Sequence, residues 1–148
     1  MTKKSERLDV VRQLAEREQE KAAKAFEQSR AALEQEQDKL VELDRYAQEY
    51  ERQFIDHAHI RASELIRQRS FLSQLADVRR QQQAAIARFE RQVEHDKHLW
   101  HQSHLKLKAV TSVVQKCVEG EEAFSDKLEE KRLDDWSTQA FNRQRGRT

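Results

Sequence analysis

Proline is absent from this sequence, glycine occurs twice and cysteine once. With so little proline and glycine there is scant material for tight turns or strand connections, which argues against a sheet or a many-element fold. The lone Cys117 cannot close an intrachain disulfide, so a disulfide-stapled secreted scaffold is not expected. Long apolar runs are missing too. No stretch approaches the roughly 20 apolar residues that span a bilayer. The start, MTKKSERLDVVRQLAERE, lacks the apolar core of a signal peptide, so a cytosolic protein is expected. A net charge of +1 gives no general pull towards nucleic acid or an anionic membrane. Glycine-rich phosphate loops, HExxH and a nucleophile elbow are also missing, and an enzyme is not expected.

What is present is charge and helix-forming side chains. Charged residues make up 37% of the 148, and mean hydropathy is −1.05, too low for a compact globular core. Such values can signal disorder, but disordered chains favour proline, glycine and serine. Here the abundant residues are Ala, Glu, Gln, Arg and Leu, which are good helix formers. Long helices burying a narrow seam are the expected outcome.

From Leu65 onward the apolar residues repeat every seven positions. With Leu65 at heptad position a, the a series runs Leu72, Arg79, Ile86, Val93, Trp100, Leu107, Val114, Glu121 and Leu128. Leu75, Phe89, Val110, Cys117 and Phe124 fall at d, the signature of a helix packed along a seam. Arg79, Gln82, Asp96 and Ser103 interrupt that seam with polar side chains. An earlier, looser stripe includes Leu8, Val11, Ala15, Phe26, Leu33, Leu43 and Phe54. Its outer face carries acid-to-base pairs such as Glu36–Lys39 and Glu49–Arg52, each worth about 0.2–0.5 kcal/mol to a solvated helix.

These stripes predict an all-α fold, a long antiparallel two-helix coiled-coil hairpin with unequal arms. Helix one is expected over about 5–56, the turn over 57–63, helix two over 64–141 and a basic tail over 142–148. All belong to one domain. Ser63 is the expected N-cap of helix two. Folding about residue 59 would bring Phe26 towards Val93, with Glu18 and Gln19 near Trp100. Helix one would then end opposite roughly residue 113. The remainder of helix two, on the order of 40 Å long, would expose an apolar stripe that calls for a partner. Gly120 could bend it.

HDKHLWHQSHLK places His95, His98, His101 and His104 at c, f, b and e, where they fan over the outer surface. A solvated helix face is the plainer expectation than a metal site, which needs convergent ligands. Neither metal nor cofactor is expected. Cys117, at a d position with no histidine placed to activate it, reads as a structural thiol.

Charge is polarised along the chain. Residues 61–91 carry seven arginines against three acids, and residues 119–135 carry eight acids against three bases. Ordinary solvation explains most such runs, but opposite fields at two ends can steer two different partners. Near the turn, Phe71, Leu75 and Val78 share one face, extended by Gln82. They either widen a weak seam or form a docking strip.

Three stretches resemble the FliJ proteins of the bacterial flagellar export apparatus. LVELDRYAQEY (40–50) is similar to the tyrosine-bearing end of that family's first helix. HLWHQSHLKLKAV (98–110) resembles its segment with a tryptophan followed by basic residues. EEKRLDDWSTQAF (129–141) resembles its C-terminal segment, where a basic pair and an apolar residue precede two acids. The resemblance implies a soluble coiled-coil hairpin like the stalk of a rotary ATPase, without catalysis of its own. It implies two partners, the hexameric export ATPase (FliI) and the cytosolic part of the membrane export gate (FlhA), and a part in handling export chaperones. It implies a place at the cytoplasmic face of the inner membrane, at the flagellar base. By analogy the joined chain ends would meet the ATPase through Leu8, Val11, Val110, Val114, Phe124, Leu128, Asp134, Asp135 and Trp136. Phe71, Leu75, Val78 and Gln82 stand where the family contacts the gate. A self-associating structural coiled coil remains the alternative.

Overall fold

The structure, a computed structural model, describes residues 3–55 and 61–146. Two helices hold nearly all of them: α1 (Lys4–Ile55) and α2 (Ala62–Arg145), with no strand among the described residues. The expected all-α helix pair is therefore present. Its arms are unequal, 52 residues against 84.

Local chemistry sets the helix ends. The Lys3 carbonyl accepts the N–H groups of Glu6 and Arg7 at 3.1 and 3.3 Å, which starts α1. At α2 the Arg61 carbonyl accepts Glu64 N–H and Leu65 N–H at 3.0 and 3.1 Å. Ser63 is therefore inside the first turn rather than at the N-cap, because Arg61 already begins the intrahelical ladder. Residues 57–60 of the expected turn lie outside the described residues. At the far end α2 runs past Phe141 to Arg145, through most of the expected basic tail. Arg143 and Arg145 in its last turn complement the negative end of the helix dipole. Gly120 does not interrupt α2, and neither glycine has a positive φ.

The described residues fall into two contact units, Met1–Gln19 with Ser103–Thr148, and Glu20–Gln102. In each, α1 and α2 lie antiparallel. Every a and d position of α2 from Leu72 to Glu121 is buried or half-buried. On α1 an unbroken series of shielded positions runs from Ser5 to Phe54 in alternating steps of three and four, with Asp9, Glu16, Ala23, Ala32 and Asp44 half-buried beside it. That second series includes Ser5, Arg12, Gln19, Ser29 and Glu36, and it passes over Val11. Polar seam positions thus occur on both helices.

Register differs from the simple fold about residue 59. Phe26 stacks on Trp100, with ring centroids 6.0 Å apart and planes 12° from parallel, one heptad beyond Val93. Pairing also reaches further along α2, since Ser5 contacts Glu121. A slip of one heptad leaves apolar positions facing apolar positions, so hydrophobic pattern alone does not resolve it.

Polar layers carry the missing information. In Glu20–Gln102, the Gln82 side-chain amide donates to the Glu36 carbonyl at 2.8 Å and to its carboxylate at 2.7 Å. Ser29 Oγ shares its single proton between the Ala25 carbonyl, at 2.7 Å, and the Asp96 carboxylate. Gln92 Nε2 donates to the other Asp96 oxygen at 3.1 Å. Arg79 Nε lies 2.5 Å from Asp44 Oδ1, an ion contact rather than an aligned hydrogen bond. Glu36, Asp44, Gln82 and Asp96 each meet a complementary group across the seam, and a one-heptad slip would strand them.

Candidate functional site

Towards the chain ends, Glu121 ties α2 to the first turn of α1. Its carboxylate accepts Ser5 N–H at 3.1 Å and Ser5 Oγ–H at 2.5 Å. The Cys117 thiol donates to it weakly at 3.8 Å. Ser5 sits where helix N–H groups have no intrahelical acceptor, so Glu121 caps α1 from the other helix. These bonds to Ser5, the nearby Lys3 charge and the thiol hold the Glu121 carboxyl below the usual carboxylate range, against a smaller opposing push from desolvation. Glu36 is lowered in the same direction, first by Gln82 and then by Lys39.

A carboxyl whose folded pKa is depressed stabilises the fold above its unfolded pKa. That contribution is lost as pH falls through the folded value. Amide exchange at Ser5–Arg7 should therefore accelerate, relative to mid-α1, when pH drops below the usual carboxylate range. Glu121→Gln should show the faster exchange already at neutral pH. An unchanged exchange pattern in that variant would remove Glu121 as the cap.

Beyond Glu121, α2 faces no other helix among the described residues, and its large apolar side chains stand in solvent. Phe124 is 65% and Trp136 69% exposed, and Leu128, Leu133 and Phe141 are exposed as well. Asp134 and Asp135 are exposed beside Trp136. Of the other residues expected at this end, Val114 is buried and Leu8 and Val110 are half-buried in the seam, whereas Val11 is exposed. The residues proposed for one contact are thus divided between seam and surface. Val10, Leu14 and Val113 are exposed nearby. Their off-stripe positions in the sequence were the available signal for them.

The strip after the turn is also divided. Phe71 packs against Tyr50 at 4.4 Å and Tyr46 at 6.0 Å between ring centroids, and it is half-buried. Leu75 is buried at 8% exposure and Gln82 spends both amide protons on Glu36. Val78 is exposed. Phe71→Ala should therefore cost about 2 kcal/mol in urea unfolding, below the range for fully buried phenylalanine. Val78→Ala should stay within about 0.5 kcal/mol. Equal losses for the two would contradict the tyrosine packing.

His95, His98, His101 and His104 are all exposed. Among the described residues, no group of three or more His, Cys, Asp or Glu side chains is arranged to hold a metal ion. No helix there is long and apolar enough to cross a membrane. Cys117 is half-buried on the seam.

Against known families, the model described as flagellar FliJ protein matches residues 3–146. This chain belongs to the FliJ family. Its membership makes it a component related to flagellar export, from a family without catalytic function. No curated protein and no solved structure matched the chain. The FliJ match spans both helices, so the surfaces described above all fall within the family region.

Proposed function

We propose that this FliJ-family chain is a non-enzymatic, stalk-like adaptor of the flagellar type III export apparatus, with a chaperone-like part in export. It engages the hexameric export ATPase (FliI) through the chain ends and the continuation of α2. It engages the cytosolic part of the export gate (FlhA) through the strip of Phe71 and Val78, supported from within the seam by Leu75 and Gln82. In this reading it works in the cytoplasm, peripheral to the inner membrane at the flagellar base. Coupling arises from contact alone, with no bond chemistry of its own.

The observation that carries the reading is the exposed apolar run after Glu121. Phe124, Leu128, Leu133 and Trp136 offer a large hydrophobic area that helix pairing leaves in water. A surface of that kind favours a protein partner. At the other contact, the side chain of Val78 is the exposed element.

The test mixes the purified chain with the export ATPase of the same organism and measures binding and ATP hydrolysis. Saturable binding with a raised hydrolysis rate is expected. Neither binding nor stimulation would defeat the proposal. A stable dimer by sedimentation, with the Trp136 fluorescence buried in it, would favour the self-associating scaffold instead.

A further inference from the structure

Within Met1–Gln19 and Ser103–Thr148, the Glu18–Lys106 pair identifies one flank of the helix pair. Lys106 Nζ lies 3.1 Å from Glu18 Oε2, across the seam. Moving one heptad towards the N-terminus on α1 replaces Glu18 by Val11. The matching step forward on α2 replaces Lys106 by Val113. Those two valines therefore occupy the same flank, on facing helices. Leu14 and Val10 adjoin Val11 on the outward side of α1. All four are 44–56% exposed, so they form an apolar platform shared by two helices rather than scattered surface side chains.

Outside the Glu18–Lys106 pair, the charged side chains bordering this platform are basic. On α1, Lys4, Arg7 and Arg17 border it, all exposed. On α2, Lys116 borders it and Lys106 closes its inner end against Glu18. The next flank position on α2 is Gly120, with nothing within 4 Å of where a Cβ would stand, so the backbone is open to approach there. The opposite flank of α1 instead carries Glu6, Asp9 and Glu16, with Arg12 turned to Asp9 at 2.6 Å. Opposite signs on the two flanks of one short segment give it a facing direction.

We infer that this basic-rimmed valine–leucine platform docks an acidic protein surface with a small apolar centre, and that the acidic surface belongs to the ATPase partner. The inference rests on the reading of the chain ends as the ATPase-binding region and names the chemistry of that contact. Charge complementarity selects an acidic occupant. The platform's make-up selects protein over lipid: three valines and one leucine, without Trp or Phe, offer little to insert into a bilayer interface. Rim charges of this kind mainly raise the association rate and select orientation, while the apolar centre holds the complex.

Arg7→Glu with Lys116→Glu reverses two rim charges on exposed side chains and should leave the melting curve unchanged. Binding of this full-length variant to the cognate export ATPase should weaken about tenfold at low salt, chiefly through slower association, and the wild-type advantage should shrink as salt rises. Val10→Gln with Leu14→Gln tests the centre independently and should instead speed dissociation. Lys108→Glu, on the other flank, is compared with Arg7→Glu alone, which changes net charge by the same amount, and should bind as wild type does. If the wild-type chain does not bind the ATPase at all, the functional reading fails and the inference with it. If wild type binds but both double variants bind equally well, only the inference fails. Vesicles of phosphatidylglycerol and phosphatidylcholine complete the test. Charge-dependent binding to them, with ATPase binding unaffected by the substitutions, would assign the platform to a lipid surface and overturn the proposal.

Discussion

Trp100→Ala should cost the helix pair about 3 kcal/mol, the low end of the range for removing a large core aromatic. Trp100 stands at an a position, half-buried, and stacks on Phe26 nearly face to face. Its neighbouring seam positions, Asp96 and Ser103, are polar, so this aromatic layer supplies much of the local apolar contact. Loss of the ring leaves a gap that two rigid helices cannot readily close. Helix pairs of this type retain little stability to lose, and a shift in the urea midpoint should be plain by circular dichroism. Phe26→Ala should cost somewhat less. The double variant should reveal a coupling of about 0.5–1.5 kcal/mol beyond additivity, as expected of stacked aromatics. Purely additive losses would mean that the two rings do not support each other.

Phe124→Ala with Trp136→Ala should weaken ATPase binding by about 2–4 kcal/mol, the range for aromatic anchors at protein interfaces. The same double variant should melt like the wild type. Both expectations have one cause. These rings are mostly exposed and lie on α2 beyond Glu121, whose contact with Ser5 ties α2 to the first turn of α1. Nothing in the pair depends on them, while any partner covering this part of α2 would bury them. Isothermal calorimetry and thermal melting together separate the outcomes. Unchanged binding would remove this surface from the contact, and a lowered melting point would show packing that their exposure does not provide.

The contrast between the two predictions reflects how the tryptophans differ. Phase and position along α2 together distinguish them: Trp100 falls on the repeat at a, where α1 faces it, whereas Trp136 falls at b and beyond Glu121. The same phase correctly assigned the exposed histidine row, because b, c, e and f face outward once a and d face the partner helix. Cys117 followed the same rule. The strip of Phe71, Leu75, Val78 and Gln82 was legible only in part. The repeat placed Leu75 on the seam, where it lies, but left Phe71 and Val78 open between seam margin and docking strip; Tyr46 and Tyr50 pack on Phe71, whereas Val78 is exposed.

Helix content, the seam phase of α2 and the absence of a conventional globular core follow from the sequence by itself. They depend on local propensity and on a seven-residue period, which any window of the chain displays. Register did not follow, because sliding one helix by a heptad keeps seam positions facing seam positions and preserves most apolar matches. Only the tertiary arrangement shows which seam groups meet: Phe26 with Trp100, Ser29 with Asp96, Glu36 with Gln82 and Ser5 with Glu121. Those polar contacts need particular partners at short range, whereas hydrophobic contacts accept many. That difference is why the fold could be read along the chain, while its register and its functional flank emerged only across it.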